Sequence, residues 1–247
     1  MYGTSAIWRN AGIVKSLMQA DYRAIALDLR GHGNSEKPHD ASLYGKEMAL
    51  DVVRLLDHLR IEKAHIVGYS LGGNLLVQLL TLHPERCLSV ILGGAAGRRN
   101  WSEADQETLD TEVSELEQGH MTSQILRLAG GIHPGDEQIQ EMTQRTFGNN
   151  DLKAMAAMKS SYPKQAVSDK DLASVSVPVW GIVGSLDAYH AKMQALQREA
   201  LPSMVITTVE GATHETCLEH PCFSKALLEV LGGTDSKLAH LAANAVL

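Results

Sequence analysis

The sequence is short of several things, and each shortage narrows what the chain can be. It holds three cysteines in 247 residues, Cys87, Cys217 and Cys222. That odd number, at spacings unlike a disulfide framework, points to a reducing compartment, and the cytoplasm is the expected location. No apolar run approaches the ~18 residues of a membrane-spanning helix, and no charged segment followed by an apolar core marks a secretory signal. Positive charge is scarce as well: 22 Lys and Arg face 29 Asp and Glu, a formal net charge of -7. Binding nucleic acid requires Lys and Arg gathered on phosphates, so neither nucleic acid nor a membrane is expected as a partner. Runs of like charge are also missing, which leaves no acidic or basic tail.

What is present suits one sizeable core. Hydrophobic residues make up 44% and charged residues 21%, ordinary values for a folded globular chain. Arg23–Asp28 is a short apolar run ending in a charged residue and then glycines, the pattern of a buried parallel strand. Residues 42–59 place most of their apolar positions on one helical face. Ala64–Gly68, Cys87–Leu92, Val177–Val183 and Met204–Val209 read as further strands. Helices are expected over Leu71–Leu82, Ala188–Ala200 and Pro221–Leu231, the last stopped by Gly232 and Gly233. Alternating short strands and amphipathic helices specify an α/β fold, a mostly parallel sheet covered on both faces. The core spans residues 1–97 and 170–233. Between its parts, residues 98–169 lack a strand and read as helices over Thr108–Gln118, Ser123–Ala129, Glu137–Thr146 and Leu152–Ser160, an insertion over one end of the sheet. The tail 234–247 is Ala-rich, weakly helical and without an assigned role.

The chemistry gathers around Gly68-Tyr69-Ser70-Leu71-Gly72, at the junction of an expected strand and an expected helix. A serine on so sharp a turn needs small residues two positions to either side, because the backbones there leave no room for side chains. The turn lifts the hydroxyl over the end of the sheet. It also aims the first amides of the helix, Leu71 included, at the place where an oxyanion would form. A serine hydroxyl needs a base within hydrogen-bond reach. Of the eleven histidines, His214 follows the last expected strand, and carboxyl ends of parallel strands are where such sheets put their active sites. His32, in Arg30-Gly-His-Gly-Asn-Ser35, is its rival. His83 reads as a capping or surface residue and His65 as a packed one. The base needs an acid to hold its tautomer, and Asp187 follows Val177–Val183 at the same edge. Its alternative is an N-cap of the next helix. Asp28 has a structural, hydrogen-bonding reading. Cys217 and Cys222 near His214 and His220 lack a second ligand cluster, so no metal is expected. Met121, Met142, Met155 and Met158 either line an adaptable pocket or pack the inserted helices, the second being preferred.

Together these segments resemble the α/β-hydrolase superfamily from about residue 2 to residue 231. Asp28–Ser35 is similar to the loop after its fourth strand, and His65–Gly73 to its nucleophile elbow. Val177–Asp187 is similar to the strand and loop of the acid, Gly211–His214 to the histidine loop, and the chain order Ser, Asp, His is the family's. The resemblance implies a catalytic triad of Ser70, His214 and Asp187, with the insertion as a helical cap that shapes the pocket and His32 outside the triad. It also implies that three strands precede Tyr2, whose amide would be the second oxyanion donor beside Leu71. The chain begins with Met1 where a glycine would stand, so a truncated frame with unpaired strand edges is expected. The implied activity is a serine hydrolase cleaving a small-molecule ester, thioester, lactone or C–C bond through an acyl-enzyme, with no metal or organic cofactor. Two alternatives remain: a receptor that keeps the pocket, and an inactive fragment.

Overall fold

A computed structural model describes residues 3–98, 101–128, 135–148, 150–237 and 245–246. The chain opens with helices α1 (Ala6–Asn10) and α2 (Ile13–Gln19), then strand β1 (Arg23–Ala24). Next come α3 (Lys46–His58), β2 (Ala64–Tyr69), α4 (Leu71–Leu82) and β3 (Cys87–Gly93). Four helices follow, α5 (Glu103–Glu117), α6 (Thr122–Leu128), α7 (Asp136–Phe147) and α8 (Leu152–Ser160). The remainder is α9 (Asp169–Ala173), β4 (Val179–Gly184), α10 (Ala188–Ala200), β5 (Val205–Val209), α11 (Pro221–Lys237) and β6 (Ala245–Val246). The strands form a sheet in the order β1-β6-β2-β3-β4-β5, with every pair parallel.

Every residue of β2 and β3 is buried, which explains why both read as unbroken apolar runs instead of alternating ones. Successive side chains leave a strand on opposite faces, and the two cores follow that alternation. On one face Ile66, Val90, Leu92 and Val179 meet Val52 and Leu56 of α3 and Leu76, Leu79 and Leu80 of α4. On the other, Val67, Tyr69, Ile91 and Ile182 meet Ile13 and Leu17 of α2 and Phe223, Leu227 and Leu231 of α11. Each such side chain, fully buried, contributes about 1.5–3 kcal/mol. Pairing of Tyr69 with Gly93, Gly93 with Ile182 and Gly184 with Val209 aligns the carboxyl ends of β2 to β5. The loops leaving β2, β4 and β5 therefore emerge along one edge.

Three elements differ from the expectation. Among the described residues, only Arg23 and Ala24 of Arg23–Asp28 pair as a strand, with Ala245 and Val246 of β6. Beyond that ladder Ile25 and Leu27 pack against the core and, with Ile66, Gly68 and Leu75, line an apolar cavity of about 80 Å³. The tail is not simply helical: Ala245 and Val246 run parallel between β1 and β2, and Val246 pairs with both Ala24 and His65. The edge of β2 expected to stand unpaired is thus met at its start. Finally, α11 continues through Gly232 and Gly233 to Lys237. Burial of Leu231 and Thr234 holds the helix across glycines that would each cost it about 1 kcal/mol.

Between β3 and β4 the described residues contain helices and no strand. Ser102 and Asp105 form a reciprocal capping box that starts α5. A buried ion pair of Lys159 and Glu112, joined by Gln124, ties α8 to α5 and α6. Met121 and Met155 are buried with Leu116 and Ala156, and Met158 packs onto Tyr44, Met48 and Leu75 of the core. These methionines fill space between helices.

Candidate active site

The junction of β2 and α4 is sharply bent. Ser70 has φ 52° and ψ −112°, a left-handed backbone that costs a non-glycine residue of order 1–2 kcal/mol. Two features hold it there: its amide donates to the Gly93 carbonyl at 2.8 Å, and its carbonyl accepts from the Asn74 amide at 3.0 Å. A Cβ on Gly68 would lie 2.5 Å from the Gly72 and Gly73 backbone, and one on Gly73 would lie 2.5 Å from the Ala95 side chain. A Cβ on Gly72 would touch nothing. The expected crowding on both sides of the serine is therefore corrected. It falls on Gly68 and Gly73, because the helix turns the Gly72 side away from the strand.

The loops after β4 and β5 are fastened to each other. Leu186 donates its amide to the Ala212 carbonyl at 2.9 Å, Ser185 its amide to the Val209 carbonyl at 3.0 Å, and Gly211 its amide to Ser185 Oγ at 2.9 Å. This approach needs glycine at 184, where a Cβ would stand 2.2 Å from the Ala212 carbonyl oxygen. The result brings His214 and Asp187 together, with Nδ1–H of the imidazole donating to Asp187 Oδ2 at 2.7 Å. On the other side of the ring, Nε2 lies 3.0 Å from Ser70 Oγ. The carboxylate fixes the proton on Nδ1 and leaves the Nε2 lone pair for the hydroxyl. Tyr69 donates its hydroxyl to the His214 carbonyl at 2.6 Å and steadies the loop. The side chains of His214 and Asp187 are 11% and 6% exposed, enough screening from water to make these bonds count.

The alternative reading of Asp187 as an N-cap is seen in the structure, where it caps α10 by accepting the His190 amide at 3.3 Å. It has a further partner that sequence reasoning missed. His190 Nδ1 lies 2.8 Å from Asp187 Oδ1 and 3.0 Å from Oδ2. Its ring stacks on that of His214, with centroids 4.2 Å apart and planes at 17°. Burial alone would raise the Asp187 pKa, but the hydrogen bonds from His190 and His214 outweigh it and hold the carboxyl well below the usual range. The available signal was local: residue i+3 from an N-cap aspartate lies over the cap, and His190, Gln194 and Gln197 form a buried polar stripe. The three groups are close enough to consider as metal ligands. Nearly parallel rings, however, aim their Nδ1 atoms side by side at a carboxylate. That suits two N–H donors on one anion better than two lone pairs converging tetrahedrally on one ion.

The other candidates lie elsewhere. His32 is fully buried, its Nδ1 3.2 Å from the Arg30 carbonyl, and burial pushes its pKa down. It packs against Gly3. His65 meets Ser89 Oγ at 2.7 Å, and Tyr22 lies edge-on to it. Asp28 is structural, accepting the amides of Ser5 at 2.6 Å and Asn34 at 2.8 Å. His83 faces Glu85 at 2.9 Å. Cys87 and Cys217 are buried and Cys222 is exposed, all as free thiols. Leu71 is the first residue of α4, where helical amides have no partner inside the helix. Tyr2 lies outside the described residues.

Comparison with known proteins places this geometry in context. A family model described as alpha/beta hydrolase fold matches residues 1–207. The 2-hydroxymuconate semialdehyde hydrolase of Pseudomonas sp. (strain CF600) is 41% identical over 91 residues, 36% of this chain and 32% of that protein. The 3-oxoadipate enol-lactonase 1 of Acinetobacter baylyi is 26% identical over 172 residues, 69% of this chain and 63% of that protein. For the first two curated relatives the match spans only 32% and 36% of their length. Among solved structures, one from a study of carboxylesterases of Nitrososphaera gargenis superposes with a TM-score of 0.74 at 20% identity. It covers 96% of this chain and 89% of its own, a likeness of fold.

Proposed function

Because this chain belongs to the alpha/beta hydrolase fold family, we propose that it is a serine hydrolase acting on a small-molecule carboxylic ester or a related acyl compound. One observation carries the reading: an unbroken hydrogen-bonded chain from Ser70 Oγ through His214 to Asp187, at 3.0 and 2.7 Å. Ser70 attacks the substrate carbonyl while His214 Nε2 takes its proton. Asp187 stabilises the imidazolium that results. The oxyanion is received by the Leu71 amide at the N-terminus of α4. His214 then protonates the leaving group, water attacks the acyl-enzyme with His214 as base, and Ser70 is restored. Every step draws on groups of the chain and on water. Helices α5–α8 serve as the cap that shapes the acyl and alcohol pockets. The hydrolase and lactonase names of the relatives support an acyl or carbonyl substrate of low molecular mass.

The test is covalent labelling. A fluorophosphonate should add one organophosphoryl mass to the chain, and Ser70→Ala should abolish the adduct while retaining the far-ultraviolet circular dichroism of the parent. An unlabelled but folded parent chain would overturn the assignment of Ser70 as an activated nucleophile.

A further inference from the structure

The carboxylate of Asp187 is shared. It receives His214 Nδ1 at 2.7 Å on Oδ2 and His190 Nδ1 at 2.8 Å on Oδ1, and the two rings are stacked 4.2 Å apart. A hydrolase triad as proposed above uses one imidazole, so the second calls for its own account. We propose that His190 is a positioning residue that divides Asp187 with His214 and so keeps His214 unprotonated, and able to act as base, to lower pH. The inference rests on His214 being the base for Ser70.

Two effects give the same sign. A carboxylate favours the charged form of an imidazole beside it. When His190 donates a second N–H to that anion, part of its field is already spent and His214 gains less from protonation. In addition, any proton taken up by His190 puts a positive ring face to face with His214 and opposes a second proton there. Two groups coupled this closely titrate as a pair. Position also matters: the Asp187 carboxylate, fixed by the His190 amide and ring together, presents Oδ2 to His214 without freedom to swing. Among the described residues, the titratable groups near the pair include Tyr69, whose ring lies 5.4 Å from His214, Tyr189, edge-on to His190 at 4.9 Å, and Cys217, which feels the charge of Asp187. Burial pushes the Cys217 thiol up to about 11.

The decisive experiment follows the ring resonances of ¹³C-histidine-labelled full chain against pH, together with kcat/KM for p-nitrophenyl acetate. It compares the parent, His190→Leu and His190→Asn. In the parent the two rings should titrate over one coupled range. In His190→Leu, His214 should titrate in a single step moved to higher pH, and the acid limb of kcat/KM should follow. His190→Asn keeps a donor for Asp187 without a titratable charge, and its shift should fall between the other two. It also carries the test if the leucine variant does not fold. An unchanged His214 titration in both variants would overturn the proposal. A moved titration with an unmoved activity limb supports the sharing of Asp187 and instead removes His214 from the role of base. The two ideas therefore fail separately.

Discussion

At the scale of single residues, the site depends on side chains with two duties. Asp187 both caps α10 and holds His214, and the two roles separate chemically. Asparagine caps a helix about as well as aspartate, but it carries no charge to stabilise an imidazolium and can hold the wrong tautomer. Asp187→Asn should therefore lower kcat/KM by roughly 10³–10⁴, with a melting temperature within a few degrees of the parent. Equal losses of activity and stability would show that the residue acts mainly through the cap. The ionisation of Asp187 also locates the acid limb of any pH profile. Its carboxyl lies well below the usual range, held by His190 and His214 against the effect of burial. It stays charged at every pH at which an imidazole titrates, so loss of activity on acidification reports the two rings.

At the scale of elements, the strand-to-helix junction between β2 and α4 makes the sharpest demand on sequence. Its glycines look alike in a motif and differ in space. An added methyl at Gly68 meets backbone at 2.5 Å, whereas one at Gly72 meets open space. Gly68→Ala should cost about 2–3 kcal/mol or more through displaced backbone. Gly72→Ala, within the helix, should be neutral or stabilise by up to about 1 kcal/mol. Denaturant unfolding of the two variants reads this directly, and equal destabilisation would refute the asymmetry. The junction is also where sequence reasoning was strong and yet incomplete. Placement of Ser70 between a strand and a helix was legible because the apolar period changes there from an unbroken run to a helical spacing. Which glycine bears the contact was not, since Gly73 is crowded by Ala95, a residue beyond the next strand.

At the scale of the whole molecule, pH acts on stability through two sets of groups with distinct windows. His32 is fully buried and its pKa is lowered, chiefly by burial and despite its bond to the Arg30 carbonyl. Below its unfolded pKa of about 6.5 the unfolded chain takes up a proton that the folded chain refuses, so stability drains away as pH falls through that value. Asp28, Asp151 and Asp187 have lowered pKa values in the folded state. Their contribution is complete above about pH 4 and is lost as pH falls further. The denaturant midpoint should be flat from pH 8 to 7, decline below 6.5, and decline steeply below 4. His32→Gln should flatten the first decline and leave the second. A first decline undiminished in that variant would show that other groups cause it.

The sequence by itself determined the α/β order of elements, the span of helices between β3 and β4, and the three residues of the candidate triad with their chain order. All of these are written locally: apolar periodicity sets strand and helix, and the loops after β2, β4 and β5 carry Ser70, Asp187 and His214. Only the tertiary structure decided what those loops meet. It drew His190 onto Asp187, turned Gly72 outward and Gly73 inward, and set Ala245 and Val246 between β1 and β2. It left most of Arg23–Asp28 without a ladder, although its composition is that of a strand. The physical reason is common to these cases. Periodicity reports how a segment prefers to bury its own side chains, whereas a ladder, a stacked ring or a shared carboxylate exists only when a second segment, often far along the chain, arrives at bonding distance.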